Sequence, residues 1–477
     1  MIRVRFAPSP TGSLHVGTLR TALFNWIFAK HVGAASVLRI EDTDLARSDV
    51  AFEQTIFDGL SWLGLNMDEG PVTGGKFGPY RQSERAELYH QHAHKLLASG
   101  HAYWCFCSDA DLDAERATAE TNKVPYVYSR KCLGLNAADI EAKKAAGIPH
   151  TLRFKVPNGE ISFPDIIRGD ITFDMNLVSD FVLIKSDQTP SYNFAVVVDD
   201  WTMAITHIIR GEDHISNTPK QIALYQAFGA PVPKFAHLPM ILGPDKSKLS
   251  KRHGATSVTD YRDMGYLPEA FFNYLVLLGW SSADGRELLS RDEIVQAFAL
   301  ERISKSGAVF DITKLKWMNG QYVRQLDAPA LFAAVNPFVS AENQAALAHY
   351  TAAQRQAIFA SVQDNLELLA DINAHLASYT HTFDSFKTAV QALAFDESDS
   401  KVLALFAEKI AALPVVNHAD IDPVLADILA ATGLGKGKVF RPIRLAVTAE
   451  KSGPHLPDIM AILGKDEILR RLAVVLG

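Results

Sequence analysis

Residues 2–40 read IRVRFAPSPTGSLHVGTLRTALFNWIFAKHVGAASVLRI, and this stretch decides the fold class. Ile2–Phe6 is short and β-prone, Pro8–Gly12 supplies a turn, Thr18–His31 has apolar residues at helical spacing, and Ser36–Ile40 is short enough for a buried strand. A strand, a crossover helix and a second strand imply a parallel sheet with a right-handed connection. In such sheets the ligand lies at the carboxyl ends of the strands, so the site is expected where this first turn enters its helix.

Working outward, the pattern becomes mixed from about Tyr89 to Pro190, with a polar helix and β-like pieces at Thr151–Val156 and Phe181–Ile184. This reads as an insertion. The sheet pattern resumes with expected strands at Ala195–Val198 and Ile205–Ile209, a helix at Thr218–Phe228 and a strand near Met240–Leu242. Beyond Leu267 the β-branched runs largely stop, and Pro268–Leu278, Arg291–Phe298 and Ala353–Leu376 carry helical spacing. The final helix repeats it with Ile459, Ile462, Leu463, Ile468, Leu469, Leu472 and Leu476, a stripe expected to pack in a core.

A chain of 477 residues holds roughly three domains at about 150 residues each. Its 48% hydrophobic and 21% charged content excludes wholesale disorder and a fibrous chain. A net charge of −7 excludes a globally basic nucleic-acid coat but not a local basic groove. No apolar run approaches the roughly 20 residues of a membrane span, and the start lacks the apolar core of a signal peptide, so a soluble cytoplasmic protein is expected. The three cysteines all fall between positions 105 and 132, too few for a disulfide framework and close enough for a local site.

Two segments carry chemistry. The first is Ala7-Pro8-Ser9-Pro10-Thr11-Gly12-Ser13-Leu14-His15-Val16-Gly17-Thr18. Its Pro/Gly turn lets the backbone approach a ligand, and the following helix offers free N–H groups to phosphate, which places His15 beside it. Taken alone, an H-x-G turn is more often an ordinary surface turn. The second is Asp245-Lys246-Ser247-Lys248-Leu249-Ser250-Lys251-Arg252-His253-Gly254, a cationic loop that reads as solvated by itself but can clamp phosphates at the strand-end face.

Together, His15-Val16-Gly17-Thr18 and Lys248-Leu249-Ser250-Lys251-Arg252 resemble the two signatures of class I aminoacyl-tRNA synthetases. With Arg39-Ile40-Glu41-Asp42-Thr43-Asp44, Gly78-Pro79-Tyr80-Arg81-Gln82-Ser83, Val198-Asp199-Asp200, Ile209-Arg210-Gly211-Glu212-Asp213-His214 and Lys316-Trp317-Met318-Asn319-Gly320, nearly the whole chain is similar to the bacterial glutamyl-tRNA synthetase family. One departure is Thr18, where the first signature has a second histidine.

The resemblance implies an α/β fold: a class I Rossmann-type parallel sheet split by an insertion and followed by an all-α anticodon-binding region. Its divisions would be 1–88 and 191–255 for the two catalytic halves, 89–190 for an acceptor-stem-binding insert, 256–322 for a helical stem-contact domain and 323–477 for the anticodon region, itself in two parts. It implies ATP-dependent activation of L-glutamate and transfer to the 3′ end of tRNA(Glu), without a side-chain nucleophile.

His15, Lys248 and Lys251 would act on the phosphates, with Thr11, Gly17, Thr18 and Asp213 also binding ATP, whose phosphates would carry Mg2+. Arg5 and Arg210 would hold carboxylates, Glu41 the ammonium, and Ser9 and Tyr192 further hydrogen bonds. A guanidinium fork grips a carboxylate in two places and pairs poorly with an amide, which favours glutamate over glutamine. Val196 stands where some relatives carry a polar residue.

Cys105, Cys107 and Cys132 could supply three corners of a structural zinc site. Family members with a fourth ligand two residues past the last cysteine differ from this chain, which has Gly134 there. A related group uses Tyr-x-x-x-Cys, so Tyr128 becomes the fourth ligand by resemblance. Lys436, Lys438, Arg441 and Arg444 form a basic cluster for tRNA, joined by Asp44. The stretch Gln363-Asp364-Asn365-Leu366, aligned with the family's anticodon-discriminating arginine, contains none, which leaves tRNA(Gln) open as a second substrate. A monomer without membrane contact is expected. The competing readings are a tRNA-modifying paralogue, disfavoured by the long helical remainder, and an inactive tRNA-binding protein, disfavoured by the retained signatures.

Overall fold

The computed structural model describes residues 1–44, 47–254 and 257–477, with Lys251 described by its backbone alone. Two compact units form, residues 1–260 with 272–311 and residues 261–271 with 312–477. The expected division 256–322 is thus shared between them.

The first unit opens as read. Strand β1 (Arg3–Phe6) leads to helix α1 (Val16–Val32) and strand β2 (Ala35–Leu38), and β1 pairs with β2 in parallel, Arg5 opposite Val37. His15 caps α1, its ring Nδ1 accepting the Gly17 N–H at 3.1 Å. Gly33 closes the helix at φ 65°, a left-handed conformation that glycine adopts without a Cβ penalty. The helix is buried nearly all round, through Leu19, Ala22, Leu23, Phe24, Ile27 and Ala29, as a helix packed between layers must be.

Strands β3 (Ala102–Cys105), β4 (Thr151–Phe154) and β7 (Val182–Ile184) make a small antiparallel sheet in the insert, enclosing the hairpin β5 (Glu160–Asp165) and β6 (Gly169–Asp174) in sequence. After helix α2 (Tyr192–Thr202) come β8 (His207–Gly211), helix α3 (Thr218–Phe228) and β9 (Lys234–Leu238). β8 and β9 are parallel, Arg210 opposite His237. The hairpin then extends this sheet, because β5 runs parallel to β9 at Asp165 opposite Phe235. Thr206 N donates to Arg3 O at 3.0 Å and Arg3 N to Thr206 Oγ1 at 2.9 Å, which joins β1 to the start of β8 and unites the two halves.

Two expectations are corrected, and one strand is new. Ala195–Val198 is the middle of helix α2, buried from Phe194 to Asp200, and a short apolar run buried on all sides has no periodicity to separate helix from strand. The strand near Met240–Leu242 is β10 (Ile241–Leu242), which pairs with β11 (Ala308–Val309) outside the main sheet. The strand the main sheet uses is β9, whose sequence KFAHL is too mixed to stand out. Among the described residues no helix is long and apolar enough to cross a membrane.

The second unit is helical. Helices α4 (Ala328–Val335) and α5 (Ala352–Val362) bury Leu331, Val335, Ile358, Phe359 and Val362 in one core. The helical spacing read over Ala353–Leu376 breaks at Val362 into short turns. Helices α6 (Glu397–Ala412), α7 (His418–Thr432), α8 (Lys436–Thr448) and α9 (Leu456–Leu476) build a second core on Phe406, Ile428, Ile443 and Leu472. α9 is broken at Gly464, where φ is 77°. Ile459 packs in the first core and Met460, Ile468 and Leu472 in the second, while Leu476 at the end is 40% exposed.

Candidate active site

At the carboxyl ends of β1 and β8 lies a cavity of about 420 Å³. It is lined by Arg5, Ser9, His15, Gly17, Thr18, Glu41, Tyr192, Arg210, Asp213 and Lys248, so most of the residues singled out for glutamate and ATP converge on one space. Thr11 and Asp44 line an adjoining cavity of about 360 Å³ that shares Ser9, Glu41 and Tyr192 with the first. The Lys251 side chain lies outside the described residues. Val196 is buried inside α2 and lines neither cavity.

The amino-acid end is built on a buried charge network. Asp200, from α2, accepts from Arg5 Nε at 3.2 Å and from Arg39 Nη1 at 2.6 Å, and Arg39 Nη2 reaches Glu41 at 2.9 Å. Burial would raise the Asp200 carboxyl, but Arg5 and Arg39 outweigh it and hold it below the usual range. For Glu41 burial prevails over Arg39 and moves its pKa up. The neighbouring Asp199, 3.6 Å from Arg39 Nε, is held by Arg85 at 2.7 Å and by Gln82 and Tyr89.

Arg210 completes the end. Its Nη2 donates to Thr218 Oγ1 at 2.8 Å and its Nε to His237 Nε2 at 3.2 Å, while Nη1 is buried without a partner. Four guanidiniums, Arg5, Arg39, Arg85 and Arg210, thus stand against three carboxylates, Asp199, Asp200 and Glu41. One positive charge in this network lacks a carboxylate, which suits it to a ligand that brings the counter-charge. Tyr192 shares a 3.0 Å hydrogen bond with His214 Nδ1, and burial beside Arg210 pushes that imidazole down to about 4, so it is neutral at pH 7.

Toward the helix α1 end the lining changes to His15, Thr18, Arg20, Asp213 and Lys248. Arg20 donates to the carbonyls of Leu278, at 2.7 Å, and Pro239. Burial lowers its pKa to about 10, which keeps it cationic. Lys248 Nζ stands 3.5 Å from Asp213 Oδ2 on the open side. Helix N-terminus, imidazole, guanidinium and ammonium together make this the anion-binding end.

The cysteines meet as the spacing suggested. Tyr128 Oη is 3.4 Å from both Cys105 Sγ and Cys107 Sγ, and Cys107 Sγ is 3.7 Å from Cys132 Sγ. Four ligands at about 2.0–2.3 Å from a tetrahedral zinc stand about 3.3–3.8 Å apart, so this donor set fits the ion. Burial raises the Cys105 thiol, but the Tyr128 hydroxyl, the Cys107 N–H and Arg153 together bring it below its ordinary value.

In the second unit Lys436, Lys438 and Arg441 are exposed on α8. Arg444 is instead turned inward, donating to Pro454 O at 2.9 Å, with burial lowering its pKa. The Gln363–Asn365 turn has no arginine of its own, yet Arg324 Nη1 donates to Asp364 O at 3.2 Å. Sequence reasoning assigned no site role to Arg20, Arg39, Asp200, His214 and His237. The available signal was a charged residue inside an otherwise apolar helix or at a strand end, as with Arg20 between Leu19 and Thr21 and Arg39 after Leu38.

Residues 1–317 match the family described as tRNA synthetases class I (E and Q), catalytic domain, and residues 330–476 match the anticodon binding domain. The chain is 44% identical to the glutamate–tRNA ligase of Sulfurihydrogenibium sp. (strain YO3AOP1), covering 99% of this chain and 98% of that one. It is likewise 44% identical to the glutamate–tRNA ligase of Moorella thermoacetica, over 99% and 97% of the two chains. Among solved structures, a glutamate tRNA ligase from Elizabethkingia meningosepticum in complex with its amino acid superposes with a TM-score of 0.88 at 35% identity, covering 99% of this chain and 98% of that one.

Proposed function

The chain belongs to the class I tRNA synthetase family of the glutamate and glutamine enzymes, and from that membership we propose that it is a glutamate–tRNA ligase. The observation that carries the substrate is the one unmatched positive charge of the Arg5–Arg39–Arg85–Arg210 cluster. L-Glutamate brings two carboxylates and one ammonium, a net charge of −1 that completes the cluster. Glutamine is neutral and would leave a guanidinium unpaired, at a cost of about 2–3 kcal/mol.

Arg5 and Arg210 hold the carboxylates, Glu41 the ammonium, and Ser9 and Tyr192 the remaining hydrogen bonds. ATP lies toward His15, with Thr11, Gly17, Thr18, Asp213, Lys248 and Lys251 around its phosphates and Mg2+ carried by the phosphates themselves. The α-carboxylate of glutamate attacks the α-phosphorus, the bond to the β-phosphate oxygen breaks, and pyrophosphate leaves. The cations neutralise charge that grows on the leaving group. A ribose hydroxyl of the tRNA then attacks the acyl carbonyl and AMP departs. Asp44 and the exposed cations Lys436, Lys438 and Arg441, with Arg444 behind them, contact tRNA.

Cys105, Cys107, Cys132 and Tyr128 hold one structural zinc, supported by donor–donor distances of 3.4 Å from Tyr128 to Cys105 and Cys107 and 3.7 Å between Cys107 and Cys132. The enzyme works as a cytoplasmic monomer. Pyrophosphate exchange into ATP with glutamate tests the reading: it should require tRNA(Glu), and charging assays with tRNA(Glu) and tRNA(Gln) define the tRNA set. Lys251→Ala should abolish charging with tRNA affinity intact. Exchange driven by glutamine, or none with either tRNA, contradicts the proposal.

A further inference from the structure

Arg210 can hold a carboxylate only if its guanidinium is turned correctly, and the structure shows what turns it. Behind it, on β9, His237 is fully buried, and its Nδ1 lies 2.6 Å from Asp165 Oδ2. Asp165, at the end of β5, has its other oxygen committed: Oδ1 accepts the N–H groups of Ile167 at 3.0 Å and Arg168 at 2.8 Å. Burial would raise this carboxyl, but the His237 hydrogen bond and those N–H groups keep it ionised, while burial keeps the imidazole neutral. A neutral imidazole whose Nδ1–H points at a carboxylate must present a lone pair at Nε2. That lone pair accepts from Arg210 Nε at 3.2 Å, Thr218 takes Nη2, and Nη1 remains for the cavity.

We propose that Asp165 and His237 are positioning residues for substrate selection: the carboxylate fixes the imidazole tautomer, and the imidazole fixes the Arg210 fork. The relay reaches into the pocket from the segment inserted between the two sheet halves, since Asp165 belongs to that segment's hairpin. It rests on the reading that Arg210 grips a carboxylate of glutamate.

Asp165→Asn is the sharpest probe. The amide oxygen must serve the Ile167 and Arg168 N–H groups and, at 3.3 Å, the His237 N–H, so its NH2 faces His237 Nδ1. The proton then moves to Nε2, where Thr218 Oγ1 at 3.2 Å can accept it, and the Arg210 Nε–H loses its acceptor. The expected result is a glutamate KM raised roughly tenfold or more, with kcat and the ATP KM nearly unchanged, although residue 165 touches no substrate.

A pair at 237 gives an independent reading. His237→Gln keeps an acceptor at the Nε2 position, and His237→Asn keeps only the contact to Asp165, so Gln should preserve the glutamate KM better than Asn. Equal effects, the reverse order, or an unchanged KM in Asp165→Asn overturn the relay. Arg210→Lys, assayed beside them, separates the premises. An unchanged KM there refutes the pocket assignment, whereas a raised KM with Asp165→Asn silent refutes only the relay.

Discussion

Arg5 touches Asp200 through Nε, and it is the geometry of its fork that Lys cannot reproduce. Arg5→Lys keeps the charge and loses the bidentate grip, so the glutamate KM should rise roughly 10- to 100-fold with the ATP KM unchanged, as steady-state charging would measure. His214 gives a pH prediction. Its folded pKa of about 4 lies below the ordinary 6.5, so the unfolded chain binds the proton first as pH falls. The stability it contributes is complete above about 6.5 and is lost toward pH 4, by about 3 kcal/mol. His214→Asn should therefore flatten the fall in melting temperature across that window, and an unchanged slope would refute it. Glu41 and Arg210 were legible because they sit in strand-end motifs. Asp165 was not, because its partner His237 is 72 positions away and only the β5–β9 pairing joins them.

At the scale of elements, the opening β1–α1–β2 unit was readable because its turn and its buried helix each follow local rules. Helix α2 was misread as a strand because Ala195–Val198 is buried on every side, and β9 was missed because exposed Lys234 opens it and buried His237, behind Arg210, interrupts its apolar run. The cysteine cluster was visible as spacing, but the sequence offered Tyr128 only by resemblance, and its 3.4 Å contacts with two sulfurs supply the geometry. Purified protein should carry one zinc. Cobalt substitution should give a thiolate charge-transfer band that persists but shifts in Tyr128→Phe and weakens in Cys107→Ser. Metal-free wild-type protein, or spectra identical in all three, would contradict the assignment.

At the scale of the whole molecule, a net charge of −7 coexists with a site that gathers cations where anions must be held. Acidity overall therefore says nothing against a polyanionic substrate, because phosphate contacts depend on local placement. The family of both domains was legible from motifs spread over the chain. The division of residues 256–322 between the two units was not, since it follows from packing that no local pattern reports. The central claim is that one unmatched charge in a buried arginine cluster selects the amino acid. The most direct measurement is kcat/KM for charging tRNA(Glu) with glutamate and with glutamine under identical conditions. The account predicts a preference for glutamate of roughly a hundredfold or more. Comparable values for the two amino acids, or a preference for glutamine, would contradict it.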